Sequence, residues 1–309
     1  MRALRRIGRA LACVRAPPGR REVPATEEVS VRTRFPIGHY YSPAPDPLEL
    51  AEEPRRSQIW PPTPRETVGV DWREDEQVRL CRDVFAKQPR LELADDSTGD
   101  PREYFASNDQ FPVLDAEVLE GMLRHLQPTC MIEIGSGFSS LISARVNREH
   151  LGGAMALTCV EPYPRDFLVA GVDGITELRQ EKVQDTPLEV FDRLGPDDVL
   201  FIDTSHTVKT GGDVPWLFNE ILPRLRSGVV VHVHDVFLPG DYPQEWVLDG
   251  WGWNEIYLVQ AFMAFNATYE IRFGCQFMIQ RHNDLLLKAF PGYRAQQHRG
   301  GGSLWIRRR

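Results

Sequence analysis

Short apolar runs alternate with helical stretches from Cys130 onward, and this alternation most restricts the folds open to the chain. Seven candidate strands can be assigned, at residues 130–134, 156–161, 177–183, 199–203, 229–234, 269–273 and 304–307. The intervening segments able to form crossover helices are residues 138–150, 164–170, 187–194, 213–225 and 253–266. Strands that alternate with helices predict a doubly wound, mostly parallel, seven-stranded Rossmann-like α/β sheet with helices on both faces.

The fifth run, residues 229–234, is apolar on both of its faces, as a central parallel strand must be. In such a sheet, ligands bind at the carboxyl ends of the strands. Candidate functional residues should therefore stand where a strand ends.

Composition excludes several classes of protein. The 309 residues carry a formal charge of -8, which argues against a dedicated nucleic-acid binder because phosphates require clustered cations. Five scattered cysteines without a CxxC pair support neither a zinc ribbon nor a disulfide framework, so a reducing cytoplasm is expected. No apolar run approaches the roughly 20 residues that span a bilayer.

The chain divides into three parts by composition. Residues 1–34 hold nine arginines against three glutamates and predict a basic, disordered tail. Residues 35–104 form an extension rich in proline and aromatic residues, with a helix predicted at 74–95. Residues 105–309 carry a helix at 115–126 and the sheet. We expect residues 35–65 to cover the ligand site as a lid, so that truncation before Ser107 would spare the sheet but impair acceptor turnover.

The strongest local signal is the run Glu133-Ile134-Gly135-Ser136-Gly137-Phe138-Ser139-Ser140. An apolar strand enters two glycines and continues directly into a helix, whose first N–H groups can face a ligand. The dinucleotide fingerprint G-x-G-x-x-G would need a third glycine at position 140, where the chain has Ser140.

Acidic residues stand at or just beyond the ends of four of the first five strands: Glu161, Asp185, Asp203 and Asp235. An acid at the end of the second strand can accept hydrogen bonds from both ribose hydroxyls of a nucleotide-like ligand. This concentration of acids along one edge indicates a site there.

The glycine turn and these acids resemble class I S-adenosylmethionine-dependent methyltransferases over about residues 105–309. The resemblance identifies Glu161 as the ribose acid and Asp185 as the adenine-side acid. It implies S-adenosyl-L-methionine as the cofactor, bound by Glu133, Gly135, Ser136, Gly137, Ser139, Glu161, Asp185 and Asp203.

Two further runs, Asp203-Thr204-Ser205-His206 and His234-Asp235, resemble the small-molecule O-methyltransferase branch that includes macrolide-sugar enzymes. The resemblance implies His206 as general base, with Asp203 and Asp235 as its catalytic partners. Metal-binding members carry an acid where this chain has His234. A divalent metal on Asp203, His234 and Asp235 stays open, and imidazole suits Mn²⁺ or Fe²⁺ better than Mg²⁺.

Two segments, 108–111 and 239–246, are candidates for the walls of an acceptor pocket. The aromatic stripe Trp251, Trp253, Tyr257, Phe262 and Phe265 has helical spacing and predicts helix packing.

The expected function is O-methylation of a small-molecule or glycosidic hydroxyl, with no nucleic-acid partner and no membrane span. Two alternatives stay open: an NAD-dependent oxidoreductase, and a non-catalytic nucleotide-binding or scaffold module. The methyl acceptor cannot be read from the sequence. The oligomeric state also stays open, a homo-oligomer included.

Overall fold

The computed structural model describes residues 34–63, 65–296 and 300–309. A seven-stranded sheet lies at its centre, in the order β3-β2-β1-β4-β5-β7-β6. Its strands are β1 (Cys130–Ile134), β2 (Ala156–Val160), β3 (Glu177–Arg179), β4 (Val199–Ile202), β5 (Val230–Val233), β6 (Tyr269–Gly274) and β7 (Leu304–Arg308). Only β7 runs antiparallel to its neighbours, β5 and β6. The predicted fold class is confirmed.

Eleven α-helices flank the sheet within the described ranges. They are α1 (Pro47–Ala51), α2 (Arg55–Ile59), α3 (Glu74–Arg79), α4 (Val113–Leu126), α5 (Phe138–His150), α6 (Asp166–Val169), α7 (Asp213–Trp216), α8 (Gln244–Leu248), α9 (Glu255–Met263), α10 (Cys275–Ala289) and α11 (Pro291–Ala295). Helix α3 continues as a π-helix and a 3-10 turn to Lys87, and α7 continues likewise to Arg224. Among the described residues, no helix is both long and apolar enough to cross a membrane.

The sheet separates two apolar cores. One core packs α4, α5, α10 and residues 80–91 against one face. The other core packs α7, α9 and the loop after β5 against the opposite face. Strands β1, β4 and β5 are buried along their whole length, which accounts for their continuous apolar runs.

The longest helix, α10, is absent from the sequence-based assignment. Its apolar residues fall in two groups, near Phe277 and near Leu286, with the polar run 280–284 between them. The helix is kinked at His282, whose φ and ψ are -139° and 35°. The kink and the polar run interrupt the apolar period that predicts a helix. The helix predicted at 74–95 also ends sooner, at Lys87.

The extension before the sheet fills part of the first core. Leu80, Cys81 and Phe85 are buried there, and the ring of Phe85 lies 5.3 Å from that of Phe273 in β6. Gln77 also accepts a hydrogen bond from the Gly274 N–H at 2.8 Å. Truncation before Ser107 would remove these core residues, so this packing argues against the expectation that such a truncation spares the sheet, which stays a prediction.

The segment 35–65 contacts the loop after β5 at one end. The Trp60 indole N–H donates to the Tyr242 carbonyl at 2.8 Å, and Arg65 pairs with Asp241 at 3.2 Å. Tyr40, near the other end, is 81% exposed. Apart from Arg34, the basic tail predicted for residues 1–34 lies outside the described residues.

A buried carboxyl group fixes the turn from β1 into α5. Glu133 Oε1 accepts hydrogen bonds from the hydroxyls of Ser139 at 2.6 Å and Ser140 at 2.8 Å. Burial raises the pKa of Glu133 to about 8, so the carboxyl group is largely protonated at neutral pH. A strand residue and a helix start are thereby joined without a buried charge.

We expect Glu133→Gln to remove a pH dependence of stability. Unfolding returns the Glu133 pKa from about 8 to near 4.5, so between these values the unfolded chain binds fewer protons. The free energy of unfolding should then fall as pH rises, by up to about 1.4 kcal/mol per pH unit. A glutamine side chain cannot ionise, so urea denaturation at several pH values should give the variant a shallower slope than the wild type.

The matched control is Glu149→Gln, since the Glu149 side chain is 44% exposed. This variant should retain the wild-type slope. Equal slopes in the wild type and Glu133→Gln would contradict the assignment to Glu133.

A second prediction concerns the extension. Phe85→Ala should lower the free energy of unfolding by about 3–5 kcal/mol, because it opens a cavity between β6 and α10. Tyr40→Ala, at an exposed position, should change it by about 0.5 kcal/mol or less. Urea denaturation compares the two, and an equally small loss in both would show that the extension does not support the core.

Candidate active site

A cleft lies at the carboxyl ends of β1, β2 and β4, where the strand order reverses. It encloses about 400 Å³ of empty volume, part of it open to solvent. Its lining is Gln110, Phe111, Gly135, Ser136, Gly137, Phe138, Ser139, Glu161 and Asp203. Most of the residues predicted to bind the cofactor therefore share one cleft, and no described residue of 35–65 lines it.

Gly135 is where the turn passes closest to the neighbouring strand. Its φ is +81°, and a Cβ atom there would lie 1.6 Å from the carbonyl oxygen of Asp203. A side chain at this position would collide with the backbone, so glycine is required. At Gly137 a Cβ atom would meet nothing within 4 Å.

Glu161 stands immediately after β2. Its Oε2 accepts from the Ser136 N–H at 3.3 Å, and its Oε1 accepts from the Tyr163 N–H at 2.7 Å. Each carboxylate oxygen has a second lone pair, so both can accept a further hydrogen bond. The carboxylate is thus held in place with acceptor capacity remaining.

Two predicted cofactor residues lie outside the cleft lining. Glu133 is fully buried beneath the turn, where it binds Ser139 and Ser140. Asp185 ends the 3-10 turn Val183–Asp185 and is exposed. Their assignment as cofactor ligands stays a prediction.

Beside the cleft, two carboxylates and an imidazole converge. His206 Nε2 lies 3.2 Å from Asp203 Oδ1 and 3.5 Å from Asp235 Oδ2. Asp203 follows β4 and Asp235 follows β5, so adjacent strand ends bring them together. Asp203 also lines the cleft, so it belongs both to the cleft lining and to this set of converging side chains.

The backbone is strained at two of these positions. His206 and Asp235 both have a φ of 53°, in the left-handed region that non-glycine residues seldom occupy. Each such residue costs on the order of 1–3 kcal/mol, and such strain clusters at active sites.

Opposite charges favour the charged forms of His206, His234 and Asp203, whereas burial raises the pKa of Asp235 and of Glu255. Burial lowers the pKa of His206, but hydrogen bonds to Asp203 and Glu255 outweigh it and hold that pKa well above 6.5. Burial also opposes the shift at His234, where Asp235 and Asp203 raise the pKa to about 10. At Asp203, burial is outweighed by the two histidines, which hold its pKa below the usual range. Both imidazoles therefore favour the charged form.

The side chains that converge as possible metal ligands differ from the predicted set by one histidine. Ligand atoms of Asp203, His206 and Asp235 all lie within 4.8 Å of one another, as a shared ion requires. His234 lies beside them, with Nδ1 at 3.5 Å from Asp203 Oδ1 and 3.6 Å from Asp235 Oδ2. His206 thus takes the place in the converging set that the sequence assigned to His234.

Two further residues contact His206 and were not predicted to do so. Glu255 Oε2 lies 3.0 Å from His206 Nδ1, and the Trp253 ring lies 4.3 Å from the imidazole. Trp251 and Trp253 precede α9, so the prediction that they pack along a helix is wrong. Phe262 does pack from α9, against Phe218. Acidic residues are common at helix N-termini because they interact favourably with the helix dipole. The position of Glu255 at the start of an apolar helix therefore gives no sequence signal for a contact with His206.

Two O-methyltransferases are among the solved structures that are similar to this chain. One is the O-methyltransferase TomG from Streptomyces achromogenes, involved in tomaymycin synthesis and in complex with SAM. The match has 22% identity, covers 66% of this chain and 82% of that chain, and has a TM-score of 0.35. The other is an O-methyltransferase from Bacillus cereus in complex with SAH, with 17% identity, 70% and 86% coverage, and a TM-score of 0.34. Both TM-scores are too low to bear on the family assignment.

Sequence comparisons give the family. A model described as a methyltransferase domain matches residues 132–236, which include the glycine turn, Glu161, Asp203 and Asp235. An uncharacterized protein of Archaeoglobus fulgidus is 32% identical over 164 residues, covering 52% of this chain and 73% of that protein. Residues 132–236 form a methyltransferase domain, in agreement with the resemblance to class I S-adenosylmethionine-dependent methyltransferases, a family whose cofactor is S-adenosylmethionine.

Proposed function

We propose that the protein transfers the methyl group of S-adenosylmethionine to a hydroxyl oxygen of a small-molecule acceptor. The observation that supports this most is the position of Asp203, which lines the cleft and also contacts His206. The cofactor side and the proton-accepting side of such a reaction would then adjoin. A small-molecule or glycosidic hydroxyl is the acceptor class that we infer from the resemblance to the O-methyltransferase branch.

The cleft residues fit the cofactor. Glu161 has free acceptor capacity for two ribose hydroxyls, and Gly137 leaves open space above the turn. The Ser136 hydroxyl oxygen is buried and has no hydrogen-bond partner among the described residues. A bound ligand with polar atoms would satisfy that hydroxyl. In this proposal Asp203 contributes its charge at the same edge.

Methyl transfer is an in-line displacement in which the carbon–sulfur bond breaks as a carbon–oxygen bond forms. Holding both reactants in line supplies much of the acceleration. The hydroxyl proton must leave, and we assign its acceptance to Nε2 of the neutral His206 imidazole. Because the pKa of His206 is held well above 6.5, this neutral form is the minor one near neutral pH, and turnover should rise with pH. Asp203, Asp235 and Glu255 surround the ring and stabilise the imidazolium that results. Acid–base catalysis of this kind contributes typically 10²–10⁴-fold.

A second version of the mechanism has support from the converging ligand atoms. Asp203, His206 and Asp235 would hold a divalent ion, which would polarise the acceptor hydroxyl as a Lewis acid. Metal-binding histidines generally donate their other ring N–H to a carboxylate, and Glu255 occupies that position on His206. His206 is then a ligand and not a base.

The four cysteines in the described ranges, Cys81, Cys130, Cys159 and Cys275, are free and buried. Free thiols are typical of a reducing compartment, which supports the inference that the protein works in the cytoplasm.

We predict that Glu161→Ala weakens binding of S-adenosylhomocysteine by about 1–3 kcal/mol, or roughly 5–150-fold, because two ribose hydroxyls lose their acceptor. Titration calorimetry measures this directly. Glu189→Ala, at an exposed position, is the control and should bind as the wild type does. Unchanged affinity in Glu161→Ala would remove Glu161 from the site.

Stabilisation of the wild-type protein by added ligand, measured by thermal shift, distinguishes the alternative functions. S-adenosylhomocysteine at about 100 times its Kd should stabilise the fold by roughly 2.7 kcal/mol, whereas NAD should not. Stabilisation by NAD alone would favour the oxidoreductase, and stabilisation by neither would favour a scaffold.

We further predict that His206→Asn lowers turnover by about 10²–10⁴-fold while the affinity for S-adenosylhomocysteine is retained. Asparagine tolerates the left-handed backbone at this position, so the fold should persist. Turnover is followed with ¹³C-methyl S-adenosylmethionine and a panel of phenolic and glycosidic hydroxyl compounds, and the methyl carbon shift identifies the acceptor atom. His150→Asn, exposed at the end of α5, is the control.

Chelation separates the two versions of the mechanism. With His206 as base, EDTA should leave wild-type turnover unchanged. With a metal, EDTA should abolish turnover, and Mn²⁺ or Fe²⁺ should restore it better than Mg²⁺. Full chelator sensitivity together with wild-type turnover in His206→Asn would refute both versions.

A further inference from the structure

We propose that Glu255 is a positioning residue that holds the His206 ring with Nε2 turned toward Asp203 and Asp235. The inference rests on the proposed function, in which Nε2 is the atom that accepts a proton or binds an ion. Glu255 lies outside residues 132–236, the region matched by the methyltransferase-domain model.

Glu255 has the environment of a residue with one specific partner. It is 1% exposed, and acids are almost never buried to that degree unless they are paired. Its Oε2 lies 3.0 Å from His206 Nδ1, whereas its Oε1 is buried without a hydrogen-bond partner among the described residues. The contact with the imidazole is thus what compensates the burial of this carboxyl group.

The backbone around Glu255 holds the same histidine. The N–H groups of Asn254 and Glu255 donate to the His206 carbonyl at 3.0 and 3.1 Å. Asn254 Oδ1 accepts from the Val208 N–H at 2.6 Å. The start of α9 therefore fixes the turn that contains His206, including its left-handed φ of 53°.

Two aromatic residues complete this support. The Trp253 ring lies 4.3 Å from the imidazole, with the two planes tilted by 45°. The Tyr242 hydroxyl oxygen accepts from the Ile256 N–H at 3.1 Å, which ties α9 to the loop after β5. Rotation of the imidazole would have to displace a packed indole and break the bond to Glu255.

The contact with Glu255 determines which nitrogen of the His206 imidazole faces the reacting groups. With Glu255 accepting from Nδ1–H, Nε2 is the nitrogen that faces the carboxylates of Asp203 and Asp235. A carboxylate that binds one imidazole nitrogen fixes both the ring orientation and the identity of the reactive nitrogen. This holds whether Nε2 serves as base or as ligand.

The first test is independent of turnover and of the acceptor. In ¹⁵N-histidine-labelled full-length protein, the His206 Nδ1–H should give a slowly exchanging, downfield proton signal, identified by its loss in His206→Asn. Glu255→Gln retains an oxygen acceptor and should keep this signal. Glu255→Met fills the same volume without that acceptor and should lose it. Persistence of the signal in Glu255→Met, or its loss in folded Glu255→Gln, overturns the proposal.

The second test asks whether Glu255 acts through His206. Glu255→Met should lower kcat by about 10–100-fold with unchanged affinity for S-adenosylhomocysteine, and Glu255→Gln should recover much of the loss. In a His206→Asn background, Glu255→Met should have no further effect, because coupled residues are non-additive. An equal loss in both backgrounds overturns the proposal. If no hydroxyl acceptor is methylated, the proposed function fails, while the spectroscopic test still decides the role of Glu255.

Discussion

The approach of Gly135 to the end of β4 is the constraint on which the site depends. The turn after β1 touches the Asp203 carbonyl so closely that a Cβ atom could not fit. Because of this contact, Asp203 lines the cleft and also belongs to the histidine cluster, which consists of Asp203, His206, His234 and Asp235. The protonated Glu133 supports the turn from beneath by binding Ser139 and Ser140. A small shift of one strand against the other would separate the two halves of the site.

The histidine cluster shows how buried charges are tolerated in this fold. Asp203 and Asp235 lie between two imidazoles, so each negative group has a positive neighbour. Burying an unpaired charge is far more costly than burying a pair with good hydrogen bonds. The cluster is therefore a single electrostatic unit, and removal of one member leaves the others uncompensated. Its position at the strand ends exposes Asp203 partly to the cleft, where a reacting group can share in that balance.

Site residues that lie next to a strand end could be predicted from the sequence. Gly135, Glu161, Asp203 and Asp235 follow apolar runs directly, and parallel strands bring their carboxyl ends to one edge. Glu255 and Trp253 could not be found in this way, because they reach His206 through tertiary packing of a distant segment. Helix α10 was missed for a different reason: its kink and its polar centre break the apolar period. Local sequence patterns thus predict which residues lie at the carboxyl edge of the sheet, but they do not predict contacts between segments that are distant in sequence.

The division of the apolar interior between the two faces of the sheet has an evolutionary consequence. Residues 80–91 of the extension, α4 and α5 share one core with Phe138, which lines the cleft. Tyr242, Trp253 and the start of α9, which surround His206, belong to the other. If the proposed function holds, substitutions on the second side would change the surroundings of His206 and of the acceptor while the packing of the first core is kept. Such a lineage can diversify its chemistry while its framework is inherited unchanged.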